Sequence, residues 1–321
     1  MSLVEIKKKR FLVIGCGSIG KRHIGNLLKL GVEDITAFDI DKRRLEEVEA
    51  GFKVKTLDSL EKAYESSPFA ALITAPTNLH LPLAVQAAGH GCHLFIEKPL
   101  SHNLDGVDEL LDIVKVKKLI TLVGCNMHFH PGLRKVKELI DQGVIGNIVS
   151  ARVEFGQYLP DWHPEEDYRK NYSARKELGG GIILDAIHEL DYIRWLLGEV
   201  TDIACFFGKL SNLEIETEDT ASMLLRFKSG AIGEVHVDYV QREYSRTCKI
   251  TGNEGTITWD VGTACVRCFK TAKGAWEEIL DFSEWNPNHM YLDEMNYFLN
   301  CPEQDVIEGY KVLQLAVKAK E

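Results

Sequence analysis

Gly15, Gly17 and Gly20, spaced as G-x-G-x-x-G, most narrow the folds open to this chain. They follow an apolar run at 11–14 and open a stretch of helical periodicity over 18–30. Such a turn, set between a strand and a helix, cradles a dinucleotide pyrophosphate. Gly15 permits the tight turn, Gly17 lets the backbone approach the anion, and Gly20 allows close helix–strand packing. The first helical N–H groups, those of Ser18, Ile19 and Gly20, are the expected donors.

The alternation continues downstream. Apolar runs at 35–38, 70–73, 93–96 and 121–123 read as strands, and 41–50, 57–66, 80–89 and 103–117 read as helices. Strands alternating with helices imply a parallel, doubly wound sheet. Continuous rather than alternating apolar runs fit strands buried on both faces. After Asn126 the pattern changes. A helix at about 131–142 precedes a strand at 148–156, an aromatic-rich polar loop over 158–178 and a helix at 182–197. Successive strands from 200 to 280 predict an antiparallel sheet, and helices at about 288–300 and 304–319 close the chain. The expected architecture is α/β followed by α+β. A Rossmann doubly wound parallel sheet occupies 1–125, and a mostly antiparallel open sheet flanked by helices occupies 126–321. A chain of 321 residues is long enough for two cores.

Lysine and arginine number 38 against 48 acids, a net charge of −10, which argues against a nucleic-acid partner. No apolar run approaches the roughly 18 residues of a membrane helix. No secretory signal is evident either, so a cytoplasmic location with reduced thiols is expected for the eight cysteines. Cys265 and Cys268 have metal-ligand spacing, but no second pair lies nearby and a strand would point them to opposite faces. No metal is expected there, or at His128 and His130.

Glu97-Lys98-Pro99 ends the apolar run at 93–96. Ligands of open α/β sheets bind beyond the carboxyl ends of the strands. Lys98 would therefore stand beside the reactive ring of a bound nicotinamide. Asp39 closes the second strand nineteen residues after Gly20, where a carboxylate accepts hydrogen bonds from both adenosine ribose hydroxyls. It would repel a 2′-phosphate, so NAD is favoured over NADP, although Lys42, Arg43 and Arg44 follow closely. Asp39 as a cap for a helix beginning near Asp41 is compatible with that role. The loop carrying Ala75 and Thr77 follows the third long run and would line the cofactor site, with Asn78 and His80 structural.

Taken together, these segments resemble the glucose–fructose oxidoreductase/inositol dehydrogenase family, Gfo/Idh/MocA. The likeness spans nearly the whole chain: the glycine turn with Lys21, Arg22 and His23, the 75–80 loop, Glu97-Lys98-Pro99, 124–146, the run Gly179 to Gly181 through Gly198, and Glu218-Asp219-Thr220. The 158–178 loop resembles a branch that handles surface-polysaccharide sugars. The resemblance implies a nicotinamide-dependent dehydrogenase or reductase of a sugar, sugar acid or nucleotide sugar, working as a homodimer or homotetramer. It also implies that Lys98, Asp185 and His188 surround the substrate carbon, with Glu97 and Lys98 near the cofactor and Asn126 near the substrate. His128 stands where the family often has arginine, which bears on specificity.

On a single helix over 182–197, Ile183, Ile187, Leu190 and Leu197 form an apolar stripe, and Asp185, His188, Asp191 and Trp195 fall on another side. Asp185 and His188, three apart, would neighbour each other, the carboxylate orienting a histidine able to move a proton near neutral pH. The family more often separates that pair by four, which leaves Asp185 as orienter or second proton carrier. Triple glycine before the helix suggests that the backbone comes close to something there. Asp161, Trp162, Tyr168, Arg169 and Tyr172 are residue types suited to sugar faces and hydroxyls. Two other readings stay open: a non-catalytic NAD- or sugar-sensing module, and an oxidoreductase of a non-sugar substrate.

Overall fold

A computed structural model describes residues 3–300 and 305–321. Its contacts divide the chain into two units, Met1–Asn126 with Asn288–Leu313, and Met127–Pro287 with Gln314–Glu321. Sequence pattern alone had given everything after 125 to the second.

In the first unit, β1 (Arg10–Ile14), β2 (Asp34–Phe38), β3 (Lys55–Leu57), β4 (Ala70–Ile73), β5 (His93–Glu97) and β6 (Thr121–Gly124) form one sheet in the order β3-β2-β1-β4-β5-β6. Every pairing is parallel. The crossover helices are α2 (Ser18–Lys29), α3 (Lys42–Phe52), α4 (Leu60–Glu65), α5 (Thr77–Gly89) and α6 (Val107–Lys117), preceded by the short α1 (Leu3–Lys7). Leu12, Val13, Leu72, Ile73, Phe95 and Ile96 are fully buried, as strands covered on both faces require.

Three local expectations are corrected. β3 was not foreseen, because a three-residue edge strand reading Lys-Thr-Leu carries no apolar run. Helix α3 is capped by Asp41, which accepts from the Arg43 N–H at 3.0 Å, so Asp39 is not its cap. Helix α5 starts at Thr77 rather than near Leu81, which places Pro82 inside it. Pro82 has no N–H to give Asn78, but its fixed φ suits the helix, so an internal proline marked no boundary here.

The second unit holds eight strands: β7 (Ile148–Gly156), β8 (Val200–Gly208), β9 (Thr220–Phe227), β10 (Ile232–Asp238), β11 (Ser245–Gly252), β12 (Gly255–Asp260), β13 (Cys265–Lys270) and β14 (Ala275–Asp281). Their order is β14-β13-β12-β11-β7-β10-β9-β8, antiparallel throughout except for β7 with β10. One face, carrying Val153, Met223, Leu225, Val235, Ile250 and Trp259, is buried. Helices α7 (Pro131–Asp141), α8 (Ile182–Asp185) and α9 (Ile187–Leu197) pack against the strands.

The single helix expected over 182–197 is thus two helices, broken at Ala186 (φ −91°, ψ 29°). The polar side of α9 is buried. His188, Glu189, Asp191, Tyr192 and Arg194 are all buried, each charge met by a partner rather than by water. Arg246 reaches Glu189 at 2.7 Å, Glu199 reaches Arg194 at 2.6 Å, and His128 reaches Asp191 at 2.8 Å.

The chain closes with α10 (Asn288–Asn300) and α11 (Val306–Lys318); residue 304, where the last helix was expected to begin, and Cys301 lie outside the described residues. Helix α10 joins the first unit's core through Met295, Phe298 and Leu299, with Phe298 edge-on to Phe95. Asn288 also donates to the Asn26 side chain at 3.0 Å.

Candidate active site

At the β1–α2 turn, Gly15 has φ +103°, and a Cβ there would sit 2.6 Å from the Thr74 carbonyl oxygen. A Cβ at Gly20 would lie 2.0 Å from the Gly15 oxygen. Both positions therefore admit only glycine. Gly17 differs: a Cβ would meet nothing within 4 Å, so the backbone faces open space at the start of the twelve-residue α2. No side chain caps that helix. Its first N–H groups and its dipole thus fit the pyrophosphate of a dinucleotide.

Asp39, at the end of β2, is buried. One carboxylate oxygen accepts from the Cys16 N–H at 2.6 Å and the other from the Asp41 N–H at 2.8 Å. These bonds fix the carboxylate at the mouth of the glycine turn and leave further lone pairs on each oxygen. Arg44 lies 3.6 Å away, whereas Arg43 is committed to Asp41. Asp39→Ala is expected to weaken NAD by about 10- to 100-fold, the loss of charge-assisted hydrogen bonds. NADP should lose far less. Titrating both cofactors against wild type and variant checks this, and equal losses would undercut the ribose contact.

Lys98 follows the last residue of β5 and is joined to Pro99 by a cis peptide bond. Its neighbours are firmly held. The Glu97 carboxylate lies inside the fold, 2.6 Å from His23 Nε2, and its other oxygen accepts from the Lys98 N–H at 3.2 Å. Burial alone would raise the Glu97 pKa. The bond from His23, with the nearby charges of His23, Lys98 and His80, outweighs it, and the carboxyl lies below its ordinary value. His80 sits with Nδ1 2.7 Å from the Pro99 oxygen and Nε2 2.8 Å from the Ala75 oxygen. Burial lowers its pKa, and a neutral ring donates to one carbonyl at a time. Thr77 is buried in the first turn of α5. Asn126 is buried too and bonds the Tyr291 hydroxyl, on which no sequence pattern had fallen.

In the second unit, Asp185 ends α8 and accepts from the buried Tyr239 hydroxyl. Burial first, then the Asp185 charge, holds the Tyr239 proton firmly in place. His188 lies in the first turn of α9, 8% exposed. The close backbone approach expected of the triple glycine is present, and what it approaches lies within the fold. A Cβ at Gly180 would lie 2.1 Å from the Tyr172 oxygen, and one at Gly181 would lie 2.4 Å from the Glu218 carboxylate. His128 is paired with Asp191 and stacked on Trp195 at 4.6 Å. His130 caps α7, accepting from the Gly132 N–H at 3.0 Å; burial and the Arg246 charge take its pKa down to about 3.

Within the 158–178 segment, Trp162 packs edge-on to Tyr239 at 5.3 Å, which places one aromatic of the loop next to the residue that holds Asp185. Asp161 is exposed. Arg169 is engaged with Asp167 at 2.7 Å and Glu214 at 3.1 Å, and the Tyr168 hydroxyl accepts from the Glu214 N–H at 3.3 Å. These two therefore staple the loop to the segment before β9. Tyr172 is half-buried, its carbonyl beside Gly180. Among the described residues no group of three or more metal-ligand side chains is found, and no helix is long and apolar enough to cross a membrane.

A six-stranded parallel sheet with a glycine turn, a buried aspartate at the end of its second strand and a strand-end lysine, followed by an open, mostly antiparallel sheet, defines a nicotinamide-dependent oxidoreductase. Residues 9–125 match the oxidoreductase family's NAD-binding Rossmann fold, and residues 133–258 match the GFO/IDH/MocA C-terminal domain. The chain belongs to the Gfo/Idh/MocA family. It is 32% identical to the myo-inositol 2-dehydrogenase of Thermotoga maritima over 78% of this chain and 75% of that protein. It is 29% identical to the scyllo-inositol 2-dehydrogenase (NAD(+)) of Bacillus subtilis over 91% and 85%. A levoglucosan dehydrogenase solved with NADH superposes with a TM-score of 0.87 at 19% identity, covering 97% of this chain and 96% of that one, a likeness of fold.

Proposed function

We propose that the chain is an NAD-dependent dehydrogenase that oxidises one ring carbinol of a cyclic polyol or sugar to a ketone. The observation that carries this is Lys98 fixed at the carboxyl end of β5, with both chain neighbours held by buried histidines. NAD, when bound, supplies the hydride acceptor. Lys98 places a charge and N–H donors at the substrate oxygen, where negative charge develops. His188 takes the hydroxyl proton and Asp185, held by Tyr239, orients the proton path. The carbinol C–H electron pair leaves as hydride, the O–H proton leaves to His188, and a C=O bond remains. Asn126 and His128 would contact the polyol, and Trp162 and Tyr172 would cover its apolar edges.

The relatives' inositol substrates support a six-membered polyol over an open-chain one. We further propose a homodimer or homotetramer in the cytoplasm. The uncovered face of the second sheet exposes Phe206 (90%) and Leu224 (54%), a patch suited to a second copy of the chain. Assaying NAD reduction across inositols, anhydro-sugars, sugar acids and nucleotide sugars tests the substrate class. Turnover with a ring polyol supports it, and turnover only with a non-sugar alcohol, or with none, contradicts it.

A further inference from the structure

We propose that His23 and His80 are positioning residues that clamp Lys98 from its two chain neighbours. The inference rests on the role given to Lys98 above. His23, from α2, is fully buried and holds the Glu97 carboxylate at 2.6 Å; that carboxylate in turn accepts the Lys98 N–H. His80, from α5, lies 2.7 Å from the Pro99 oxygen and 2.8 Å from the Ala75 oxygen, and with its proton on Nδ1 it donates to the first. Lys98 therefore has its backbone fixed on both sides by side chains from the two helices that follow β1 and β4.

The seat of the pair is close-fitting. Phe95 and Tyr291 wall His23 edge-on at 4.8 Å and 6.1 Å, and a Cβ at Gly124 would press the Glu97 carboxylate at 3.2 Å. With no room for the carboxylate to move, the strand end cannot shift without breaking the His23 bond. The arrangement also ties the nucleotide helix to the lysine, because His23 lies one turn beyond Gly20. Catalysis by a charged group falls steeply when the group is misplaced by about 1 Å. Such a clamp would act on kcat rather than on binding.

The test compares His23→Ala, His23→Gln, His80→Ala and His80→Asn in the full-length protein. Two readouts are used: steady-state kinetics on the polyol oxidised by wild type, and protection of Lys98 by NAD against amine acylation, read by mass spectrometry. The alanine variants should lose about a hundredfold in kcat, with KM and NAD affinity within about threefold. NAD should no longer protect Lys98 in them, and the glutamine and asparagine variants, which keep a donor, should recover most of both. Unchanged kcat and protection in both alanine variants would overturn the clamp. So would parallel loss of NAD affinity and kcat without recovery in the conservative variants, the mark of a merely structural role. If His23→Ala does not fold, His80→Ala and His23→Gln carry the test. NAD that fails to protect Lys98 in wild type would instead refute the role of Lys98 itself.

Discussion

Lys98→Met is expected to lower turnover by about 10²- to 10³-fold, the usual loss when an electrostatic stabiliser of developing charge is removed. NAD affinity should barely change. Methionine keeps the length and the apolar stem of lysine but has neither charge nor donor, so packing at the end of β5 is preserved. The contacts that fix the backbone there, from Glu97 and His80, do not involve the ammonium group. Binding therefore reports an intact site, and turnover reports the missing group alone. Kinetics on the identified polyol together with NAD titration check this. Normal turnover in the variant would refute the assigned chemistry.

The second large effect is on stability. Glu189 is fully buried on α9 and Arg246 nearly so on β11, with 2.7 Å between Nε and the carboxylate. The guanidinium also lies over Phe155, 4.9 Å from the ring centroid. Glu189→Ala leaves a buried cation without its counter-charge and is expected to cost about 3–5 kcal/mol. Replacing both, Glu189→Leu with Arg246→Met, should cost much less, because neither charge is then desolvated. Urea unfolding of the single and double variants separates the two cases. A double variant as unstable as Glu189→Ala would show that shape, not charge pairing, governs the site. Glu189 adjoins His188, so loosening this pair should also lower turnover.

Much of this arrangement was legible before any coordinates. Strands buried on both faces write themselves as apolar runs, so β1, β2, β4, β5 and β6 were all visible, as was the turn through Gly15, Gly17 and Gly20. Local pattern failed where tertiary partners override it. The break at Ala186 carries no proline or glycine to announce it. The burial of the charges on α9 carried no sequence signal, since their partners His128 and Arg246 lie far away in sequence. Gly180 and Gly181 announced a close backbone approach, but only the fold names Tyr172 and Glu218 as what they make room for. Tyr239 and Tyr291, which hold Asp185 and Asn126, gave no signal, because a tyrosine hydroxyl is assigned a partner only by the fold. His23 entered only as part of the family likeness of the glycine turn, and neither its burial on α2 nor its partner Glu97 was readable.

The central claim is direct hydride transfer from a ring carbinol to the nicotinamide. Incubating the protein with NAD and inositol deuterated at its ring carbons, then analysing the nicotinamide by mass spectrometry, tests it most directly. The account predicts one deuterium on the reduced nicotinamide ring with wild type, and almost none with Lys98→Met. Reduced cofactor lacking deuterium, or cofactor that stays oxidised across the whole polyol and sugar panel, would contradict it.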